Sequence, residues 1–124
     1  MEGLTWLDVS GFRILRADYG VAKDSVQLMH AMKQEQYLSG PCVYSLTDFG
    51  MKSFSEAFVK EYGKTSRDLV AQKKIVAAYI HLIPELFDAA KEIIYSLRGE
   101  TAKVEFFQTE PAALDWLMSF KDCE

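Results

Sequence analysis

Few residues of this chain combine a reactive side chain with a position where chemistry is done. Asp18 and Asp48 follow two apolar runs, Phe12 to Asp18 and Cys42 to Leu46, that read as strands. Carboxylates at the carboxyl ends of neighbouring strands stand where α/β folds bind ligands. Side by side, they hold a hard cation or share a proton. The plainer role for each is to accept backbone hydrogen bonds in a turn. His81 closes a third run, Ile75 to Leu82, just before Ile83-Pro84, and the helix that follows has no evident side-chain cap. Free amides at a helix start attract anions, which makes His81 the candidate for an anion site. His30 falls on a helix with no ligand partner and reads as a surface residue. Cys42 lacks a CxxC or nucleophile motif and reads as a buried, inert thiol. No Gly-rich phosphate loop, zinc spacing or Ser-His-Asp arrangement is present, so no catalytic residue, metal ligand or cofactor is assigned.

Charge is uneven along the chain. Lys52 to Lys74 holds six basic residues against three acidic, whereas Ile75 to Glu124 holds four against nine. Lys60, Lys64 and Arg67 share one helix face and form a basic stripe suited to an acidic partner or to solvent. Glu56, four residues before Lys60, already offers a local ion pair. The formal charge of −4 argues against general nucleic-acid binding, which needs a basic footprint. Two cysteines, Cys42 and Cys123, make no disulfide framework and read as reduced thiols. The Met-Glu-Gly-Leu-Thr-Trp start is unlike a signal peptide, and no apolar run approaches the ~20 residues of a membrane span. A cytoplasmic protein is the expectation.

The elements that must position these residues alternate. With 124 residues, 49% of them hydrophobic, the chain suffices for one domain around one core. Residues 1–11 read as a leader. A first strand, Phe12 to Asp18, carries Arg13 and Arg16 and therefore reads as an edge strand. A helix from Ser25 to Leu38 follows, capped by Asp24, and Ser39-Gly40-Pro41 ends it. Cys42 to Leu46 is the organising strand, followed by the Asp48-Phe49-Gly50 turn. Ser53-Phe54-Ser55-Glu56 has the form of a capping box opening the second helix. Gly63 marks a break in that helix. Ile75 to Leu82 is a third strand. Pro84 starts a third helix, Ala102 to Phe107 is a fourth strand, and Thr109 caps a last helix. In that last helix Trp116 lies mid-stripe between Ala113 and Phe120 and is expected to be buried. Strand and helix alternate four times with no hairpin signal. That order predicts one α/β domain with a four-stranded, mainly parallel sheet.

Several stretches resemble a bacterial branch of the SpoIIAA-like, or STAS-like, family. They are Ile14-Leu-Arg-Ala-Asp18-Tyr, Leu46-Thr-Asp48-Phe-Gly50 with Phe54 six residues after Asp48, Ile75-Val-Ala-Ala, and Phe107 followed by Ala113-Leu-Asp-Trp-Leu117. The resemblance spans about Phe12 to Phe120. It implies a small SpoIIAA-like domain used for protein–protein regulation rather than catalysis. It also implies a phosphorylated serine early in the second helix. That position falls on Ala57, which has no hydroxyl, and Ser53 is expected to be committed to the helix cap.

Three function classes follow. The first is a regulatory or scaffolding module without catalytic activity, binding an unidentified protein partner, with monomer and homodimer both open. Its surface would comprise Asp18, Asp48, Phe49, Met51 and Lys52, continued by Lys60, Lys64 and Arg67. Phe49 and Met51 flank a glycine turn and are candidates for exposed apolar contacts. The second class is a small-ligand or lipid-binding protein related to the Sec14 group, which would need an apolar pocket of ~300 Å³ or more. The third is an enzyme using Asp18 and Asp48, or His81.

Overall fold

A computed structural model of the chain describes residues 2–120. The stretch expected to be a leader contributes a strand, β1 (Leu4–Val9), which pairs antiparallel with β2 (Phe12–Asp18). Ser10 and Gly11 form the two-residue link, with φ of +51° and +84°. Two left-handed residues give the turn whose twist matches a hairpin, and Ser-Gly supplies it without Asn-Gly. A hairpin and a fifth strand therefore correct the expected four-stranded sheet.

Three helical crossovers then lay down parallel strands. The order is α1 (Ser25–Leu38), β3 (Cys42–Asp48), α2 (Glu56–Val70), β4 (Lys74–Ile80), α3 (Pro84–Tyr95), β5 (Ala102–Phe107) and α4 (Glu110–Met118). The sheet order is β1-β2-β3-β4-β5, with every neighbour after β2 parallel. The described residues thus form one α/β domain with a mixed five-stranded sheet and four helices. β2 is an inner strand, and its arginines do not mark an edge. Arg13 lies over the Trp6 ring at 4.3 Å, a cation–π contact, and Arg16 is engaged as described below.

Alternation along the strands separates two cores. Leu15, Ala17, Tyr19, Val43, Ala77, Tyr79 and Val104 face α1, α2 and α3. Ile14, Leu46, Val76, Ala78 and Ile80 face α4 through Ala113 and Leu117. β4, with Ile75 to Ile80 buried throughout, is apolar on both faces, as a central parallel strand requires. Trp116 is only partly buried, against Phe107 and Phe120. Ala113 and Leu117 take the inward face of α4 instead, because the stripe turns that way.

α2 also differs from expectation. Ser55, not Ser53, is its N-cap, accepting a hydrogen bond from the Phe58 amide at 3.1 Å. The capping box is displaced because the chain stays extended through Phe54, which packs on the core from outside the helix. Gly63 does not break α2. It lies where a Cβ would stand 2.9 Å from Ile93 of α3, so it permits close approach of the two helices. Cys42 is disulfide-bonded rather than a free thiol, and Cys123 lies outside the described residues. No described helix is long and apolar enough to cross a membrane.

Candidate functional site

The register of β2 and β3 places Asp18 directly beside Asp48 at the carboxyl ends of the two strands. Each accepts a hydrogen bond from its own turn, Asp18 Oδ1 from the Gly20 amide and Asp48 Oδ1 from the Gly50 amide, both at 2.8 Å. The turn role expected for each is therefore present. The two turns touch: a Cβ on Gly50, whose φ is +66°, would lie 2.3 Å from the Gly20 Cα. Only glycine suits a left-handed position under such contact.

A guanidinium bridges the two carboxylates. Arg16, two residues before Asp18 and on the same face of β2, donates from Nη1 to Asp18 Oδ2 at 3.3 Å. Its Nη2 donates to Asp48 Oδ2 at 3.1 Å and to Glu110 Oε1 at 2.6 Å. Glu110 opens α4, the helix on this face of the sheet, and also accepts from Arg16 Nε. Burial alone would lower the Arg16 pKa, but hydrogen bonds and charge from Glu110 and Asp18 outweigh it and hold the group above its ordinary range. The cation between Asp18 and Asp48 is thus a side chain of the protein. Among the described residues, no group of three or more His, Cys, Asp or Glu is arranged to hold a metal.

His81 joins the same centre. It follows β4, has a left-handed φ of +59°, and places Nδ1 at 2.9 Å from Asp48 Oδ1. A non-glycine residue in this conformation is strained, and here a carboxylate and the packed turn hold it. The Met51 amide donates to the His81 carbonyl at 2.8 Å, fastening the β3–α2 turn to the end of β4. His81 also borders a cleft of about 540 Å³ at the carboxyl ends of β4 and β5. Phe87 and Phe106 form an aromatic wall, and Phe107, Asp88 and Gln108 also border the cleft. The helix start beside His81 lacks a side-chain cap, as expected for α3.

The other residues of the expected surface divide. Phe49 is buried, stacked on Tyr19 and Tyr79, so its candidacy as an exposed contact is corrected. Its ring turns inward because the chain after Asp48 bends over the α1–α3 core. Met51 is 58% exposed. Lys52 donates to the Ala22 carbonyl at 2.9 Å, tying the β3–α2 turn to the loop after β2. Lys64 and Arg67 are exposed along α2, and Lys60 pairs with Glu56 at 3.4 Å. These three run away from the strand ends rather than joining the Arg16 centre. His30 is exposed on α1, as expected.

A second polar region, unmarked by any motif, lies on the opposite face of the sheet between α1, α2 and β3. Lys33 is 7% exposed, and its ammonium stands 4.7 Å from the Tyr62 ring centre. Burial pushes its pKa down to about 8. Tyr62 is pushed up to about 12, chiefly by burial, against opposing contacts from Thr47 and Tyr79. The Ser45 and Ser66 hydroxyls and the Gln36 Oε1, buried polar atoms of these elements, have no hydrogen-bond partner among the described residues. The apolar crevice between α2 and α3, lined by Phe58, Tyr62, Leu86 and Ile93, holds about 30 Å³, room for roughly one water.

Comparison of the chain with family models, with curated proteins and with solved structures found no match to any of them.

Proposed function

We propose that the chain is a regulatory or scaffolding module of the SpoIIAA-like or STAS-like kind, binding another protein through the surface at the carboxyl ends of β2, β3 and β4. The observation that carries this reading is Met51. A long apolar side chain is held 58% exposed on a residue with φ of +56°, between buried Phe49 and tethered Lys52. Strain of this kind persists only where the surroundings impose it. A turn backbone fixed before binding forfeits less entropy on association. Val21, also exposed, belongs to the loop that Lys52 ties to the same turn, which widens the apolar patch. The carboxylates nearby are engaged with Arg16, which suits a fixed rim better than a reaction centre. The alternation of three crossover helices with parallel strands is compatible with what the family resemblance implies.

The test is site-directed photocrosslinking in the source cells, with a photoreactive residue at Met51 and, as control, at Leu38. Leu38 is more accessible still but lies at the far end of α1. A discrete heteromeric adduct at Met51 and none at Leu38 is expected. Equal labelling at both positions, or none at either, would overturn the reading.

A further inference from the structure

We infer that the cleft at the carboxyl ends of β4 and β5 binds a small aromatic molecule, neutral or cationic, that carries an N–H or O–H donor and hydrogen-bonds to Nε2 of His81. The cleft borders Met51 of the regulatory surface, but the proposal rests on His81 and the aromatic residues beside it. Asp48 orients the His81 ring. Oδ2 accepts from Arg16 Nη2, and Oδ1 accepts from the Gly50 amide. Both oxygens act as acceptors, so the hydrogen shared with His81 at 2.9 Å belongs on Nδ1. In the neutral ring that tautomer leaves the lone pair on Nε2. No described group partners Nε2, and the ring is 40% exposed at the border of the cleft.

The walls select the rest of the ligand. Phe87 and Phe106 stand 5.5 Å apart between ring centres, and Phe106 is 5.5 Å from Tyr79. The three rings form one aromatic wall suited to a flat apolar body, and Phe107, whose ring packs on Trp116 across the sheet, borders the cleft from the α4 side. A volume of about 540 Å³ lies within the range of small-molecule sites. The charge pattern decides between a donor and an anion. Asp88 lines the cleft and no lysine or arginine does. Glu85 occupies the first turn of α3, where it already complements the positive end of the helix. Lys91, 5.6 Å from the Phe87 ring centre, lies outside the lining. An acceptor imidazole and a carboxylate rim favour a donor-bearing or cationic ring over an anionic one.

The experiment titrates the full chain with indole, 1-methylindole, tryptamine and indole-3-acetate, following the ring NMR signals of His81, Phe87 and Phe106. Indole and tryptamine should shift all three sets of signals, tryptamine binding at least as tightly as indole. 1-Methylindole, which lacks the donor, should bind about fivefold more weakly, as expected for one neutral hydrogen bond. His81→Gly should weaken indole about fivefold and abolish the difference between indole and 1-methylindole. Glycine adopts a left-handed φ freely, so this variant keeps the backbone. Phe87→Ala, at a partly exposed position, should weaken all four probes by a similar factor and serves if His81→Gly fails to fold. Equal binding of indole and 1-methylindole, tighter binding of indole-3-acetate than of tryptamine, or no shifts at all would each overturn the inference. Met51 borders the same cleft, so photocrosslinking at Met51 is read in the parent chain without any probe, where it reports on the regulatory reading alone.

Discussion

The Arg16 centre and the Lys33 seam each hold a basic side chain against one face of the same sheet, under opposite conditions. Arg16 reaches the strand ends, where Asp18, Asp48 and Glu110 converge on a planar fork whose donors match carboxylate oxygens. Lys33 projects between two helices, with only the face of Tyr62 beside it and no described carboxylate or hydrogen-bond partner. A point charge in an apolar seam responds by lowering its pKa; a forked cation among carboxylates does not. The strand end is therefore a region where charge is kept, and the helix seam one where charge is costly. Placement of a candidate surface at the former follows from that difference.

Removing the cation from the strand end should have the largest effect. Arg16→Met leaves Asp18, Asp48 and Glu110 facing one another, with the Asp48 side chain only 9% exposed. Breaking a buried pair by removing one partner costs about 3–5 kcal/mol, and the partial exposure of Glu110 puts the expectation near the lower figure. Arg16→Lys keeps the charge but loses the fork, and should cost about half as much. Urea denaturation measures both. A loss below about 1 kcal/mol for Arg16→Met would mean that solvent, not Arg16, balances the carboxylates, and the contrast between the regions would disappear.

The converse substitution in the seam should stabilise. Lys33 has a folded pKa of about 8 against an ordinary 10.5, so at neutral pH the folded state bears a cost that the unfolded chain does not. At about 1.36 kcal/mol per unit the cost is about 3 kcal/mol, lessened by the cation–π contact with Tyr62. The cost is fully present below pH 8 and is relieved as the pH rises towards 10.5, because the unfolded state binds the extra proton across that window. The parent chain should accordingly gain stability between pH 8 and 10 from this group. Lys33→Met should be about 2–3 kcal/mol more stable at pH 7, with that part of the pH dependence gone. Equal stability of variant and parent at pH 7 would show that Lys33 has a partner, such as water reaching Ser66 or Gln36.

The two regions also differ in how far the sequence announced them. Asp18 and Asp48 were legible because each precedes a turn glycine at the end of an apolar run, and their register follows from parallel pairing. Arg16 was misread as a sign of an edge strand, although its position two residues before Asp18 already put both on one face. Glu110 gave no signal, since only the fold brings the start of α4 to the end of β2. β1 was missed because Thr5 and Asp8 interrupt a short apolar stretch, yet Ser10-Gly11 was a usable turn signal. Phe49 was misjudged as a turn residue because local sequence does not show which way a side chain leaves a turn. Ser53 and Ser55 both fit a cap, and the tertiary contact of Phe54 decides between them. Lys33 falls four residues after Met29, on the buried face of α1, but a lysine there reads as a break in the apolar stripe, and its burial depends on how closely α2 approaches.

The smallest expected effect supplies the reference for both regions. Lys60 and Glu56 form an ion pair on α2 at 3.4 Å, with side chains 76% and 85% exposed. Opposite charges four residues apart on an open helix attract through water, and holding two long side chains together offsets most of the gain. A double-mutant cycle with Glu56→Ala and Lys60→Ala should give a coupling of at most about 0.5 kcal/mol, vanishing at high salt. The same cycle with Arg16→Ala and Asp48→Ala should give a coupling several times larger and less sensitive to salt, because that pair is shielded from screening ions. If the two cycles agree in size, burial at the strand end adds nothing to the attraction. The Arg16 centre would then be an ordinary surface cluster, and the basic stripe of Lys60, Lys64 and Arg67 would have equal standing as a place for a partner to bind.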